Sequence, residues 1–254
     1  FSLQIKFIMS LDNLYLEETQ LYINNLANLE EQEFNNLLAI YPILKDFLYI
    51  EEIFERRCRK MFDYQVIPYR NELKWRDFYY RLIDLMPKIL TQAGTVANRL
   101  CRYSKFMELK ICMEVYKIYP TVDGANALAN LGELSYLQYL ETFNIYPNSI
   151  GANDAAVNAC LLVLDWLKQR DIHVTNGAII GAIQVNNTAF LSWYFAIYNR
   201  LPENINACEI AIINNSLISL QFLLRHGYMI PINSVELCKT YQADDILKWL
   251  LSNE

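Results

Sequence analysis

A short motif recurs along the C-terminal part of the chain. Its kernel is a leucine, a polar residue, an aromatic residue or isoleucine, and a second apolar residue, as in residues 137–140 (LQYL). The leading leucines follow one another in steps of 28, 27, 27, 29 and 27 residues, at Leu109, Leu137, Leu164, Leu191, Leu220 and Leu247. Self-similarity at such a period is typical of stacked structural repeats, so the pattern predicts a solenoid of about six units.

Other positions keep their character relative to each leading leucine. The residue three positions later is apolar in all six units, and the residue one position later is polar. Turn-forming residues such as Pro120, Pro147 and Gly177 lie between the units. The small or apolar residue nine positions earlier predicts a first helix, and the larger residues around the leucine predict a second, so each unit is expected to be a helix pair. The earlier residues are Leu100, Leu128, Ala155, Ala182, Ala211 and Cys238.

The residue two positions after the leading leucine is aromatic in five units. Such a line could form a partner-binding stripe, because Trp and Tyr dominate interface hot spots. It could equally be the core between repeats. We favour the core, because the preceding polar position would already supply the exposed face. The aromatic residues are Tyr139, Trp166, Trp193, Phe222 and Trp249.

Composition supports a folded helical protein. Of the 254 residues, 54% are hydrophobic, and Gly and Pro number only seven each. The net charge of -6 provides no general attraction to nucleic acid or to an anionic membrane. The apolar runs are shorter than the roughly 18 to 20 residues of a membrane helix. Residues 1–8 lack the features of a signal peptide. We therefore expect an all-α cytoplasmic protein with no membrane or nucleic-acid partner.

Residues 9–62 are predicted to form a bundle of three short helices, because apolar residues recur there at helical spacing. Glu30, Glu31 and Glu33 suit the start of the second helix, where they meet the positive end of its dipole. The basic run at residues 56–60 (RRCRK) is predicted to be the solvated face of a helix C-terminus. A bundle of about 50 residues buries little surface, so it would benefit from a partner.

The first predicted helix resembles the start of an F-box. That family opens with Leu-Pro, continues with Glu and an Ile-Leu pair, and closes the helix with Leu. Here Tyr15 replaces the proline, and Tyr22 replaces the isoleucine. The matching residues are Leu14, Glu17, Ile23 and Leu26.

The second predicted helix extends this resemblance. Its spaced apolar residues Phe34, Leu37, Ile40 and Tyr41 fit the family pattern, and Leu44 stands where the family has an aromatic residue. The F-box resemblance covers about a fifth of the chain. It implies docking onto a Skp-family adaptor of a cullin–RING ubiquitin ligase. The residues expected at that interface are Leu14, Ile23, Leu26, Leu37, Ile40, Tyr41 and Leu44.

Residues 63–93 are predicted to be a helical spacer, interrupted by Pro68 and with a helix that ends at Pro87. Within it, residues 75–82 (WRDFYYRL) resemble the Trp-Lys-x-x-Tyr-x-x-Leu segment that often follows F-boxes.

Residues 94–254 contain the repeats, which resemble shortened ankyrin repeats. Residues 223–227 (LLRHG) are similar to the Leu-Leu-x-x-Gly that closes an ankyrin unit, and residues 130–140 (NLGELSYLQYL) to the ankyrin Asn-Gly-His-Leu run. The usual period is about 33 residues, so the hairpin fingers should be short or missing. Arrays of this kind, some behind an F-box, are similar to those of large DNA viruses that infect amoebae. Such an origin would place the protein in the host cytoplasm.

Catalytic, cofactor-binding and metal-ligating residues are not predicted. His173 and His226 have no further ligands at suitable spacing, no G-x-S-x-G frame positions a nucleophile, and no glycine-rich loop suits a phosphate. The six cysteines form no CxxC pair and are expected to be reduced core residues.

The sequence therefore predicts an all-α interaction protein with no enzymatic activity of its own. An F-box-like bundle would recruit the ligase, and an ankyrin-like solenoid would bind a target protein. The alternative is a repeat scaffold without ligase recruitment, in which the bundle caps the solenoid. An exposed apolar patch on the first two helices would favour the adaptor.

Overall fold

The computed structural model describes residues 16–40 and 50–252, and the side chains of all of these except residues 16–20 and 22. All regular structure in them is helical, which confirms the predicted all-α class. None of the described helices is long and apolar enough to cross a membrane.

Two compact units make up the described chain. The first contains the described residues up to Gly94 together with Met107–Ile118, and the second contains Thr95–Phe106 and the residues from Tyr119 onward. The domain boundaries expected at residues 62 and 93 stay a prediction.

The described part of the first unit contains one long helix and six shorter ones. They are α1 (Leu16–Asn28), α2 (Glu31–Ile40), α3 (Ile50–Met61), a 3-10 helix (Tyr64–Arg70), the long helix α4 (Trp75–Thr91), α6 (Phe106–Lys110) and a π-helix (Ile111–Val115). Helix α3 packs against both α1 and α4. Their buried side chains include Ile23, Phe34, Phe54, Phe78 and Tyr79.

Local sequence accounts for the ends of these helices. Helix α2 carries Glu31 and Glu33 in its first turn, and α3 carries Arg59 and Lys60 in its last. In both helices the side-chain charges interact favourably with the helix dipole and stabilise the helix end.

The prediction that Pro87 ends a helix is wrong. Helix α4 continues for one turn beyond it to Thr91, and the Gln92 N–H donates to the Lys88 carbonyl at 2.8 Å. A proline removes only one backbone donor. The last turn here is held by the buried side chain of Ile89.

Between residues 93 and 252 the helices follow one another along the sequence as six consecutive pairs, and each pair contains one leading leucine. The second helix of the first pair, α6, belongs mainly to the first compact unit. The helices not yet given are α5 (Ala93–Arg102), α7 (Val122–Leu131), α8 (Leu134–Glu141), α9 (Ser149–Val157), α10 (Leu161–Lys168), α11 (Asn176–Gln184), α12 (Thr188–Tyr198), α13 (Ala207–Ile213), α14 (Leu217–Arg225), α15 (Ser234–Tyr241) and α16 (Asp244–Ser252). The first helices α7, α9, α11, α13 and α15 pack against one another in order, as do α8 with α10 and α12 with α14.

The turn inside each pair has the same backbone geometry. The residue five positions before the leading leucine is left-handed in all six pairs, with φ from 50° to 75°. The next N–H donates to the carbonyl of the residue nine positions before the leucine, for example Cys160 to Ala155 at 2.8 Å. This is the bond of a Schellman motif, which ends a helix. The left-handed residues are Ser104, Gly132, Ala159, Asn186, Asn215 and Gln242.

Candidate interaction surfaces

The structure separates the predicted adaptor-binding residues into inner and outer ones. Ile23 lies in the core of the first unit, and Ile40 is 63% exposed at the end of α2. Leu26 and Leu37 are half-buried. The remaining three, Leu14, Tyr41 and Leu44, lie outside the described residues.

Helix α1 adds a second outward apolar side chain, Leu21, which is 57% exposed. Three other apolar side chains of these two helices, Ile23, Phe34 and Leu38, are buried. Helices α1 and α2 therefore each divide their apolar residues between a core face and an exposed face.

A buried arginine connects these two helices to the rest of the first unit. The Arg57 side chain is fully buried and donates from Nη1 to the Leu29 carbonyl at 2.7 Å, beyond the end of α1. From Nη2 it donates to Glu31 Oε2 at 2.7 Å, and from Nε to the Tyr79 hydroxyl at 3.0 Å. Tyr79 in turn donates to Glu31. We call Glu31, Arg57 and Tyr79 the arginine hub.

Aromatic rings enclose the hub. The Arg57 guanidinium lies 4.1 Å from the Phe34 ring centroid, a cation–π contact, and Phe34 and Phe54 meet edge to face at 5.5 Å. The prediction that the basic run at residues 56–60 is exposed to solvent is therefore wrong for Arg57. The partners that bury Arg57 lie outside its own helix and come together only in the folded chain. Arg59 and Lys60 are exposed, as that interpretation expects.

The hub also shifts the ionisation of its members. Burial acts to raise the pKa of Glu31, but hydrogen bonds from Tyr79 and Arg57 outweigh it and hold that pKa below its usual value. Burial and the Glu31 carboxylate raise the pKa of Tyr79. Glu31 is therefore kept as an anion and Tyr79 as a neutral donor.

Next to the hub lies a cavity of about 300 Å³. Its lining is mostly apolar and includes one arginine and one tyrosine. The lining residues are Leu38, Ile50, Phe54, Arg76 and Tyr80.

In the second unit, asparagines connect successive first helices. The Asn126 Oδ1 accepts from the backbone N–H groups of Asn148 at 2.9 Å and Gly151 at 3.2 Å, at the start of α9. Asn98 and Asn153 accept in the same way from the residue that caps the next first helix. All three lie eleven positions before a leading leucine. The sequence shows an asparagine at one fixed position of three successive units, but it does not show which N–H groups that side chain meets.

The aromatic residues expected in the repeat core are only partly buried. Trp166 is buried, whereas Tyr139, Trp193, Phe222 and Trp249 are half-buried. Trp193 donates from Nε1 to Asp165 Oδ1 at 2.8 Å, so the polar edge of its ring contacts an exposed residue of the preceding repeat. The core interpretation holds for Trp166, and the other rings lie at the boundary between core and surface.

An arginine clamp joins two neighbouring repeats near the C-terminal ends of their second helices. Arg170 makes two hydrogen bonds of 2.8 Å to the Glu141 carboxylate and lies 4.1 Å over the Trp166 ring. The hydrogen bonds from Arg170 lower the pKa of Glu141. A two-point contact of this kind fixes orientation as well as distance.

The cysteines are poor nucleophiles. Five of the six are buried, which confirms their predicted place in the core, and Cys160 is half-buried. Burial raises the pKa of Cys58 and Cys112 to about 12 and that of Cys208 to about 11. Thiols with such pKa values stay protonated at neutral pH.

The histidines lie apart from any metal-binding group. His226 directly follows α14, with its ring centroid 4.2 Å from that of Phe222 and the two rings tilted by 30°, and His173 is exposed. Among the described residues, His, Cys, Asp and Glu form no group of three or more that could hold a metal ion.

No protein-family model, curated protein or solved structure matches this chain. Its function must therefore be inferred from its own residues. The features that bear on function are the exposed apolar side chains of α1 and α2 and the surfaces of the six helix pairs.

Proposed function

We propose that this protein is an interaction adaptor. Its N-terminal helices would dock onto a Skp-family adaptor of a cullin–RING ubiquitin ligase, and its ankyrin-like helix pairs would bind a target protein. The observation that carries the proposal is the outward position of Leu21 and Ile40 on α1 and α2, with Ile23 turned into the core. Exposed apolar side chains held on a rigid base are suited to protein contacts.

The hub supports this role because it holds α1 and α2 in place. Arg57 binds the chain where α1 ends and Glu31 at the start of α2, so it fixes the connection between the two helices. A pre-organised surface loses less conformational entropy on binding.

Co-purification of the full chain with a Skp-family adaptor tests the proposal. The test variant is the double substitution Leu21→Asp, Ile40→Asp, because both side chains are exposed and should tolerate the change. The matched control is Leu90→Asp, which alters an 85% exposed leucine on α4. Far-UV circular dichroism must first show that all three proteins are folded.

We expect the double variant to weaken binding by more than about tenfold, because burying each apolar side chain contributes roughly 1.5–3 kcal/mol. The control should bind as the unmodified chain does. Absence of binding by the unmodified chain, or undiminished binding by the double variant, would contradict ligase docking. The first of these results would leave the repeat scaffold without ligase recruitment.

A further inference from the structure

The turns inside the helix pairs present one large exposed apolar side chain in each unit. These side chains lie either six or two positions before the leading leucine, on either side of the left-handed residue. Each is between 46% and 73% exposed. We call this set the turn edge: Tyr103, Leu131, Leu162, Val185, Ile218 and Tyr241.

The middle of the turn edge carries no charge. Asp, Glu, Lys, Arg and His are absent from the turns of the third, fourth and fifth repeats. These turns are residues 157–162 (VNACLL), 184–189 (QVNNTA) and 213–218 (INNSLI). In the whole chain, by contrast, 20% of the residues are charged. Depletion of charge around exposed apolar side chains is the composition of an interface core.

Two asparagines of these turns already have hydrogen-bond partners within the chain. Asn158 donates to Asn130 Oδ1 at 2.6 Å, and Asn187 donates to the Ala156 and Val157 carbonyls at 2.9 and 2.7 Å. Covering the turn edge would therefore leave these amides hydrogen-bonded. This lowers the desolvation cost of an interface.

We propose that the turn edge binds the turn edge of a second copy of this chain. Each copy has a net charge of -6, so two copies repel wherever acidic surfaces meet. The uncharged turns allow them to approach without that repulsion. The apolar side chains then gain burial in both copies at once, as a self-complementary patch requires.

The register of the repeats defines how the two copies pair. Leu162 and Ile218 hold the same position in the third and fifth units, and the exposed Ala189 holds it in the fourth. A two-fold axis beside Ala189 places Leu162 of one copy against Ile218 of the other, and the reverse contact forms by symmetry. The small side chain of Ala189 lets the copies come close at the axis.

The uncharged part of the turn edge is large enough for a small dimer interface. Neighbouring helices lie about 9 Å apart, and two helices side by side are about 22 Å across, so the three uncharged helix pairs present roughly 600 Å². Interfaces at the lower end of the stable class bury about 600 Å² on each partner.

Sedimentation velocity on the full chain, from about 1 to about 100 µM, tests the proposal. We expect a mass of twice 29.8 kDa at the higher concentrations. Leu162→Asp and Ile218→Lys should each raise the dimer dissociation constant by at least about tenfold. The combination of these two changes should restore dimerisation, because the new charges face each other with opposite sign. The matched control is Met229→Asp, at an 86% exposed residue outside the turn edge.

Three results would overturn the proposal. One is an unmodified chain that remains monomeric at about 100 µM. Another is a dimer that survives the double change Leu162→Asp, Ile218→Asp, in which like charges would face each other. The last is failure of the Asp–Lys combination to restore dimers, which would contradict the two-fold pairing. Circular dichroism of every variant distinguishes loss of pairing from loss of folding.

Discussion

Arg57 and Glu31 form an ion pair in which the arginine side chain is fully buried and the glutamate side chain is 29% exposed, with Nη2 and Oε2 2.7 Å apart. The two residues are separated by 26 positions and belong to different helices. A buried charge is costly unless all its hydrogen-bonding capacity is used. Here the Leu29 carbonyl and the Tyr79 hydroxyl also accept hydrogen bonds from the Arg57 guanidinium.

Removing the guanidinium should destabilise the first unit strongly. Arg57→Met removes the arginine's hydrogen bonds to the Glu31 carboxylate, the Leu29 carbonyl and the Tyr79 hydroxyl, and we expect a loss of about 3–5 kcal/mol in the free energy of unfolding. Urea denaturation followed by circular dichroism measures it. Arg59→Met removes an exposed pair with Glu55 and should cost at most about 1 kcal/mol. Equal losses in the two variants would contradict the structural importance of the hub.

The stability of the protein should fall in mild acid because of Glu31. Its folded pKa lies below the unfolded value, so the folded state binds the proton less readily. The stabilisation is complete above the reference value of 4.5 and is lost as the pH falls through the lower folded pKa. Glu31→Gln should flatten this part of the curve of unfolding free energy against pH. The matched control is Glu33→Gln, at an exposed position of the same helix, and an equal effect of the two substitutions would contradict the prediction.

The left-handed turn residues predict opposite effects on stability for two substitutions. Ala159 has φ of 56°, so Ala159→Gly should stabilise the protein by about 0.5–1 kcal/mol. Gly132 has φ of 75°, and a Cβ there would lie 3.0 Å from Cys160 Sγ, so Gly132→Ala should cost about 1 kcal/mol or more. Thermal unfolding gives both values. Ala189→Gly, inside α12, serves as control and should destabilise by up to about 1 kcal/mol. Stabilisation by both glycine substitutions would contradict the left-handed assignment.

The asparagine contacts between first helices predict a steric effect at Gly151. A Cβ there would lie 2.5 Å from Asn126 Oδ1 and 2.9 Å from Asn126 Cα, so the contact between the two helices must open. Gly151→Ala should therefore cost about 1–3 kcal/mol. At Gly94 nothing lies within 4 Å of the added Cβ, and Gly94→Ala should be neutral or stabilise α5 by up to about 1 kcal/mol. Urea unfolding of the two variants checks the contrast, and similar losses would contradict it.

The repeat pattern was informative because helix pairs repeat their side-chain environment. The first five leading leucines, from Leu109 to Leu220, are buried in the structure. Their period could be read directly, since a residue at a fixed position in every unit faces the same neighbours. The residue nine positions earlier had a second role that its apolar character did not reveal. Its carbonyl accepts the bond that ends the first helix, for example Ala155 from Cys160.

The candidate interfaces were less accessible to sequence reasoning. Helical spacing identified both Ile23 and Ile40 as apolar residues of the bundle, but it could not show which of the two is buried and which is exposed. Only packing separates them, because burial depends on which helices lie against each face. Ile23 is buried, whereas Ile40 is exposed.

By itself, the sequence determined the all-α class and the register of the helices, because helix formation and apolar periodicity depend on residues close in the chain. Tertiary structure alone decided that Arg57 would be buried. Its partners Leu29, Glu31 and Tyr79 lie 22 to 28 positions away, and the basic residues around it gave no sign of them. It also decided which exposed apolar residues share the turn edge. A surface of this kind exists only where separate turns come together in space.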